Sequence, residues 1–97
     1  MTDASDTETT VDDFNRVQGG MARSVLDYLA KSIVDDPDGV VIELEEGSRG
    51  VRLSLHVSSE DMGKVIGRRG RVAQAIRTVV RAAGAREGVE VAVDIVD

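Results

Sequence analysis

The sequence predicts an α+β domain: a three-stranded mixed sheet with three helices covering one face, in the order αββααβ. Three observations predict it. Apolar residues recur at helical spacing between Met21 and Ile33 and again between Val72 and Ala83. Two segments, 51–57 and 89–95, alternate apolar residues with others, as half-buried strands do. The stretch between those two strands is long enough for a helical crossover, so the pair is expected to be parallel.

Residues 1–20, MTDASDTETTVDDFNRVQGG, are rich in Thr and Asp and have little to bury. They are expected to form a disordered acidic tail, although Val11, Phe14 and Val17 are spaced as a weak helical stripe. The folded domain is then 21–97. Ala22, Val25, Leu26, Leu29 and Ile33 mark the first helix, and Asp35-Asp36-Pro37-Asp38-Gly39 stops it. Val40 to Glu45 is short and rich in β-branched residues, hence a strand. Gly47-Ser48-Arg49-Gly50 reads as a hairpin loop leading into the strand Val51, Leu53, Leu55, Val57.

Ser58 is expected to cap a short helix, with Glu60 and Asp61 in its first turn and its end near Ile66. Gly67 and Gly70 interrupt the helical pattern, and a longer helix runs on to about Ala83. At 100° per residue, Val72, Ile76, Val79 and Ala83 fall in one sector, the expected core face. Arg71, Gln74, Arg77, Thr78 and Arg81 fall on the other side, where Arg77 and Arg81 read as a solvated face. Gly84 and Gly88 bracket a loop before the last strand, Val89, Val91, Val93 and Ile95.

Composition narrows the function. The chain has 97 residues, one His and no Cys, which removes disulfides and thiolate metal sites. His56 stands alone, no carboxylate pair flanks a nucleophile, and Asp35, Asp36 and Asp38 lack the spacing of a calcium loop. Neither an enzyme, a cofactor nor a metal is expected. No apolar run approaches the ~18 residues of a membrane span, and the polar N-terminus is unlike a signal peptide, so a cytoplasmic location is expected.

The net charge of −6 conceals a division. Residues 1–20 carry −4, residues 21–46 carry −5 and residues 47–97 carry +3. Six bases and no acid lie between Lys64 and Arg81. Local potential steers a charged ligand more than the total does, because salt screens charges beyond ~10 Å.

The informative stretch is Val65-Ile66-Gly67-Arg68-Arg69-Gly70-Arg71, followed by Ile76. Two glycines three apart let the chain turn sharply between helices and let another backbone approach. Gly70 leads straight into the long helix, so unpaired N–H groups and the positive helix end meet at the loop. Phosphate is the usual ligand of such a place. Arg68 and Arg69 add guanidinium donors, Lys64 and Arg71 flank them, and Val65, Ile66, Val72 and Ile76 offer a groove floor for unstacked bases. Lys64, Ile66, Gly67, Arg68, Arg69, Gly70 and Arg71 are therefore the candidate site.

These residues resemble the GxxG loop of the KH family, which clamps about four nucleotides of single-stranded RNA. The resemblance covers residues 22–96, and the element order is that of the type II variant. It is closer still to the KhpA-type proteins of bacteria, in Asp61-Met62-Gly63-Lys64-Val65-Ile66-Gly67 and in Ala75-Ile76-Arg77-Thr78-Val79-Val80. The resemblance implies an RNA chaperone or post-transcriptional regulator. It also implies pairing, as a homodimer or with a KhpB-type KH protein, and a link to cell-wall growth and cell shape. The acidic tail is not part of that pattern.

Two readings of function stand at this point. In one the domain is an RNA-binding module; in the other the fold serves mainly for protein–protein pairing. A domain this small is marginally stable alone. Its only aromatics, Phe14 and Tyr28, lie away from the loop, so base stacking on aromatics is not expected and single-domain affinity should be modest.

Overall fold

The computed structural model describes residues 18–96; the expectations for residues 1–17 fall outside the described residues. Helix α1 spans Gly20–Ile33 and buries Gly20, Ala22, Leu26 and Ala30. Gly19 and Gly20, grouped with the tail from sequence, are both buried in the fold. A 3₁₀ turn at Pro37–Gly39 leads into β1, Val41–Glu46, and the hairpin Gly47–Gly50 returns the chain into β2, Gly50–His56. After a second 3₁₀ turn at Ser59–Asp61 come α2, Met62–Ile66, a third at Arg68–Gly70, α3, Arg71–Arg86, and β3, Glu90–Ile95.

The sheet order is β1-β2-β3. β1 and β2 are antiparallel, with Ile42 opposite Leu55 and Leu44 opposite Leu53. β2 and β3 are parallel, with Val51 opposite Val91 and Leu53 opposite Val93. Strand side chains alternate, so this register brings Ile42, Val51, Leu53, Leu55, Val91 and Val93 to one face. There they meet Ala22, Leu26 and Ala30 of α1 and Ile76, Val80 and Ala83 of α3 in a single core. Helix α2 packs against α3 and α1. Full burial of a side chain such as Leu53 or Leu55 contributes about 1.5–3 kcal/mol, so this face supplies most of the cohesion. No described element covers the other face, which is mostly polar, with Glu43, Glu45, Arg52, His56, Glu90 and Asp94. No helix among the described residues is long and apolar enough to cross a membrane.

Helix α3 is rotated from the expected orientation. Its buried residues are Ala73, Ile76, Val80, Ala83 and Gly84, whereas Val79 is 47% exposed and Val72 half-buried. The cause lies at Gly84, which was expected in a loop and instead sits inside the helix. A Cβ there would lie 2.3 Å from Val91 Cγ2. The bare glycine lets α3 press onto β3, which turns Val80 and Gly84, one helical turn apart, toward the sheet. Arg77 is consequently half-buried, and its Nε donates to the Val93 carbonyl at 3.2 Å. It ties α3 to β3 instead of facing water.

Candidate nucleic-acid interface

The loop between α2 and α3 is built by backbone conformations that ordinary residues avoid. Gly67 has φ 76° and ψ 175°, a region essentially restricted to glycine. A Cβ on Gly67 would also lie 2.3 Å from Val72 Cγ2 and 2.9 Å from the Val72 nitrogen. Arg69 follows at φ 58°, ψ 25°, and Gly70 at φ 72°, ψ 15°, both left-handed. Arg69 is the only non-glycine with positive φ among the described residues. Such a conformation costs of order 1 kcal/mol or more, held by the surrounding structure. The loop is closed by Gly70 N–H donating to the Gly67 carbonyl at 3.1 Å and Gly67 N–H donating to the Gly63 carbonyl at 2.8 Å.

What the loop presents is the positive end of α3 with no side chain capping it. Gly70 precedes α3 without a side-chain capping bond, and no acid stands in the first turn. Arg68, Arg69 and Arg71 are exposed, and among the described residues no carboxylate lies within ion-pair distance of any of them. The Arg71 N–H is spent on the Arg68 carbonyl, so what the turn offers an anion is the dipole of α3 together with three exposed arginines within four residues, an arrangement that stabilises negative charge.

The groove floor is narrower than expected. Val65 is fully buried and Ile76 nearly so, leaving Ile66, 39% exposed, and the half-buried Val72 as the apolar surface beside the loop. In a helix of five residues only one of two consecutive apolar side chains turns inward, and Val65 takes that place. A wide, open cleft lies elsewhere, at the hairpin end, among Glu45, Glu46, Arg49, Arg81 and Glu90. A turn that projects needs no cavity to meet a phosphate backbone.

Lys64 has another engagement. Its ammonium pairs with Asp35 and stands 3.8 Å from Asp61 Oδ1. The hydrogen bond to Asp35 raises its pKa above the ordinary lysine value, against a desolvation effect and with help from the charges of Asp35 and Asp61. Asp61, 2% exposed, accepts from the backbone N–H groups of Asp35 and Asp36, both at 3.1 Å. Ser58 does not cap α2; its hydroxyl donates to Asp36 Oδ2 at 2.6 Å. This cluster fixes the end of α1 to the start of α2, just ahead of the loop. Two charge-assisted bonds and a nearby ammonium compensate the burial of the Asp61 carboxylate. Sequence reasoning missed that role because the acceptor and its donors are about 25 residues apart.

A three-stranded mixed sheet, three helices and a GxxG turn between the last two of them define a type II KH domain. The model of the KH domain of KhpA and KhpB matches residues 23–95, and the chain belongs to that family. It is 47% identical over 74 residues to the RNA-binding protein KhpA of Clostridium acetobutylicum, covering 76% of this chain and 99% of that one. Against the RNA-binding protein KhpA of Streptomyces coelicolor it is 48% identical over 77 residues, 79% and 94% of the two chains. Against that of Listeria monocytogenes it is 44% identical over 69 residues, 71% and 91%.

Proposed function

We propose that this domain binds single-stranded RNA by holding its phosphates on Gly67-Arg68-Arg69-Gly70, with Arg71 beside the strand and Ile66 beneath a base. The observation that carries the reading is the start of α3, which no side chain caps and beside which three exposed arginines have no acidic partner among the described residues. Relatives named RNA-binding proteins, nearly half identical over most of their length, support it. Lys64 acts mainly through its brace to Asp35, which sets α2 and hence the loop. The domain works as an RNA chaperone or post-transcriptional regulator in the cytoplasm, with no chemistry done on the RNA. Family membership further supports a KhpB-type KH protein as partner and a role in cell-wall growth and cell shape.

The test is the double variant Arg68→Asp, Arg69→Asp. Both side chains are in solvent, so the circular dichroism spectrum and melting curve should match wild type while RNA binding disappears in a gel shift. A folded double variant that keeps its affinity at low salt overturns the reading.

A second reading, pairing between KH chains, is favoured by one specific surface. Val79 is exposed on α3, one turn from the exposed Ala75 and Ala82, giving an apolar stripe that no described element covers. If the stripe is the pairing face, Val79→Arg leaves the melt unchanged and reduces the sedimenting mass to that of one chain. An unchanged mass in a self-associating protein places the pairing elsewhere.

A further inference from the structure

We propose that the acidic segment 1–17 is an intramolecular competitor for the phosphate-binding loop, reaching it along α3. The inference rests on the reading of that loop as the RNA site. Gly19 packs on Val51, where a Cβ would lie 2.7 Å from Val51 Cγ2. Two residues on, the Met21 N–H donates to Glu87 Oε1 at 3.1 Å. The segment therefore enters the fold beside the C-terminal end of α3, while the loop sits at the other end.

Charge selects the route between them. The sequence of α3, RVAQAIRTVVRAAGAR, contains four arginines and no acid. Arg86, Arg81 and Arg71 are exposed on different sides of it, and Arg69 and Arg68 stand just before its start. The open face of the sheet offers no such path, because Glu43, Glu45, Glu90 and Asp94 outnumber Arg52 and His56 there. Residues 1–17 carry Asp3, Asp6, Glu8, Asp12 and Asp13 against Arg16 alone. A polyanion tethered to this molecule is drawn along α3.

Length sorts the acids. A 16-residue helix is about 24 Å long. An extended chain spans at most about 3.3–3.6 Å per residue, so Asp13 and Asp12 lie no more than about 25 Å from Gly19. They can only just span the helix and face Arg81 and Arg86 more readily. Glu8 reaches to about 38 Å, and Asp6 and Asp3 reach farther, so these three can occupy the loop. Tethering gives them a high effective concentration, and salt weakens the contact.

The experiment compares the full chain with an outer variant, Asp3→Asn, Asp6→Asn, Glu8→Gln, and an inner variant, Asp12→Asn, Asp13→Asn. Amide shifts of Arg68, Arg69 and Gly70 are recorded without RNA, and affinity for a short single-stranded RNA is measured from low to high salt. The outer variant is expected to move the loop amides at low salt and to tighten RNA binding about threefold or more, with the curves converging as salt rises. The inner variant should do less. Loop amides that do not respond to the outer substitutions overturn the inference, as does a gain as large in the inner variant or one that persists in high salt. Amides that respond in a chain that binds no RNA would leave the tail contact standing and remove the RNA reading instead.

Discussion

Two loops in this chain have the same pattern, a glycine at each end of four residues with arginine third. Gly47-Ser48-Arg49-Gly50 joins two antiparallel strands, with Gly47 N–H donating to the Gly50 carbonyl at 2.8 Å. Neither of its glycines has a positive φ. Gly50 is required by packing, since a Cβ would lie 2.0 Å from the Glu90 carbonyl oxygen. Around it stand Glu45, Glu46 and Glu90, all exposed, which offset Arg49. Gly67-Arg68-Arg69-Gly70 uses positive φ at three of its four residues and opens onto a helix start that no side chain caps. The spacing of glycines is therefore not what makes an anion site. On the proposed reading, the following helix and the absence of acidic partners among the described residues make it.

That contrast can be broken most forcefully at the core behind the second loop. Ile76 is 3% exposed, and Ile76→Asp places an unpaired charge among apolar side chains. The domain should lose its cooperative melt, a loss of more than about 4 kcal/mol. Ile66→Asp, at a residue 39% exposed, should melt close to wild type and bind RNA more weakly. Unfolding by Ile66→Asp would mean that the start of the loop belongs to the core.

Exchanging the glycines sharpens the comparison at a smaller scale. Gly50→Ala forces β2 and β3 apart at their first pair and should cost about 1–3 kcal/mol in a denaturant titration. RNA affinity of the folded fraction should be unchanged. Gly67→Ala meets both an unfavourable φ and the Val72 side chain, and should cost a similar 1–3 kcal/mol, roughly, with affinity lost as well. Equal effects of the two on RNA binding would remove the distinction between the loops.

Much of this was legible in the sequence because strands and loop are local signals. Alternation along Val51–Val57 and Val89–Ile95 fixed which residues face inward, and the parallel pairing followed from the length between them. The loop was legible for the same reason: glycines, arginines and helix start are consecutive. What the sequence did not reveal were choices between neighbours of equal character. Val79 and Val80 are alike in composition and differ only in which faces β3, a choice made by Gly84 against Val91. Val65 and Ile66 pose the same problem one helix earlier. Arg77 and Asp61 found their partners at residues distant in sequence, the Val93 carbonyl and the N–H groups of Asp35 and Asp36.

The central claim is that charge in the second loop meets phosphate and charge in the first does not. It is tested most directly by the salt dependence of affinity for one short single-stranded RNA, measured for wild type, Arg49→Ala and the pair Arg68→Ala, Arg69→Ala. Each phosphate contact contributes about 0.7 to the slope of log affinity against log salt for a single strand. The paired variant should lose affinity and reduce the slope by about 1.4, while Arg49→Ala should keep the wild-type line. Wild-type slope in the paired variant, or an equal reduction from Arg49→Ala, would contradict the account.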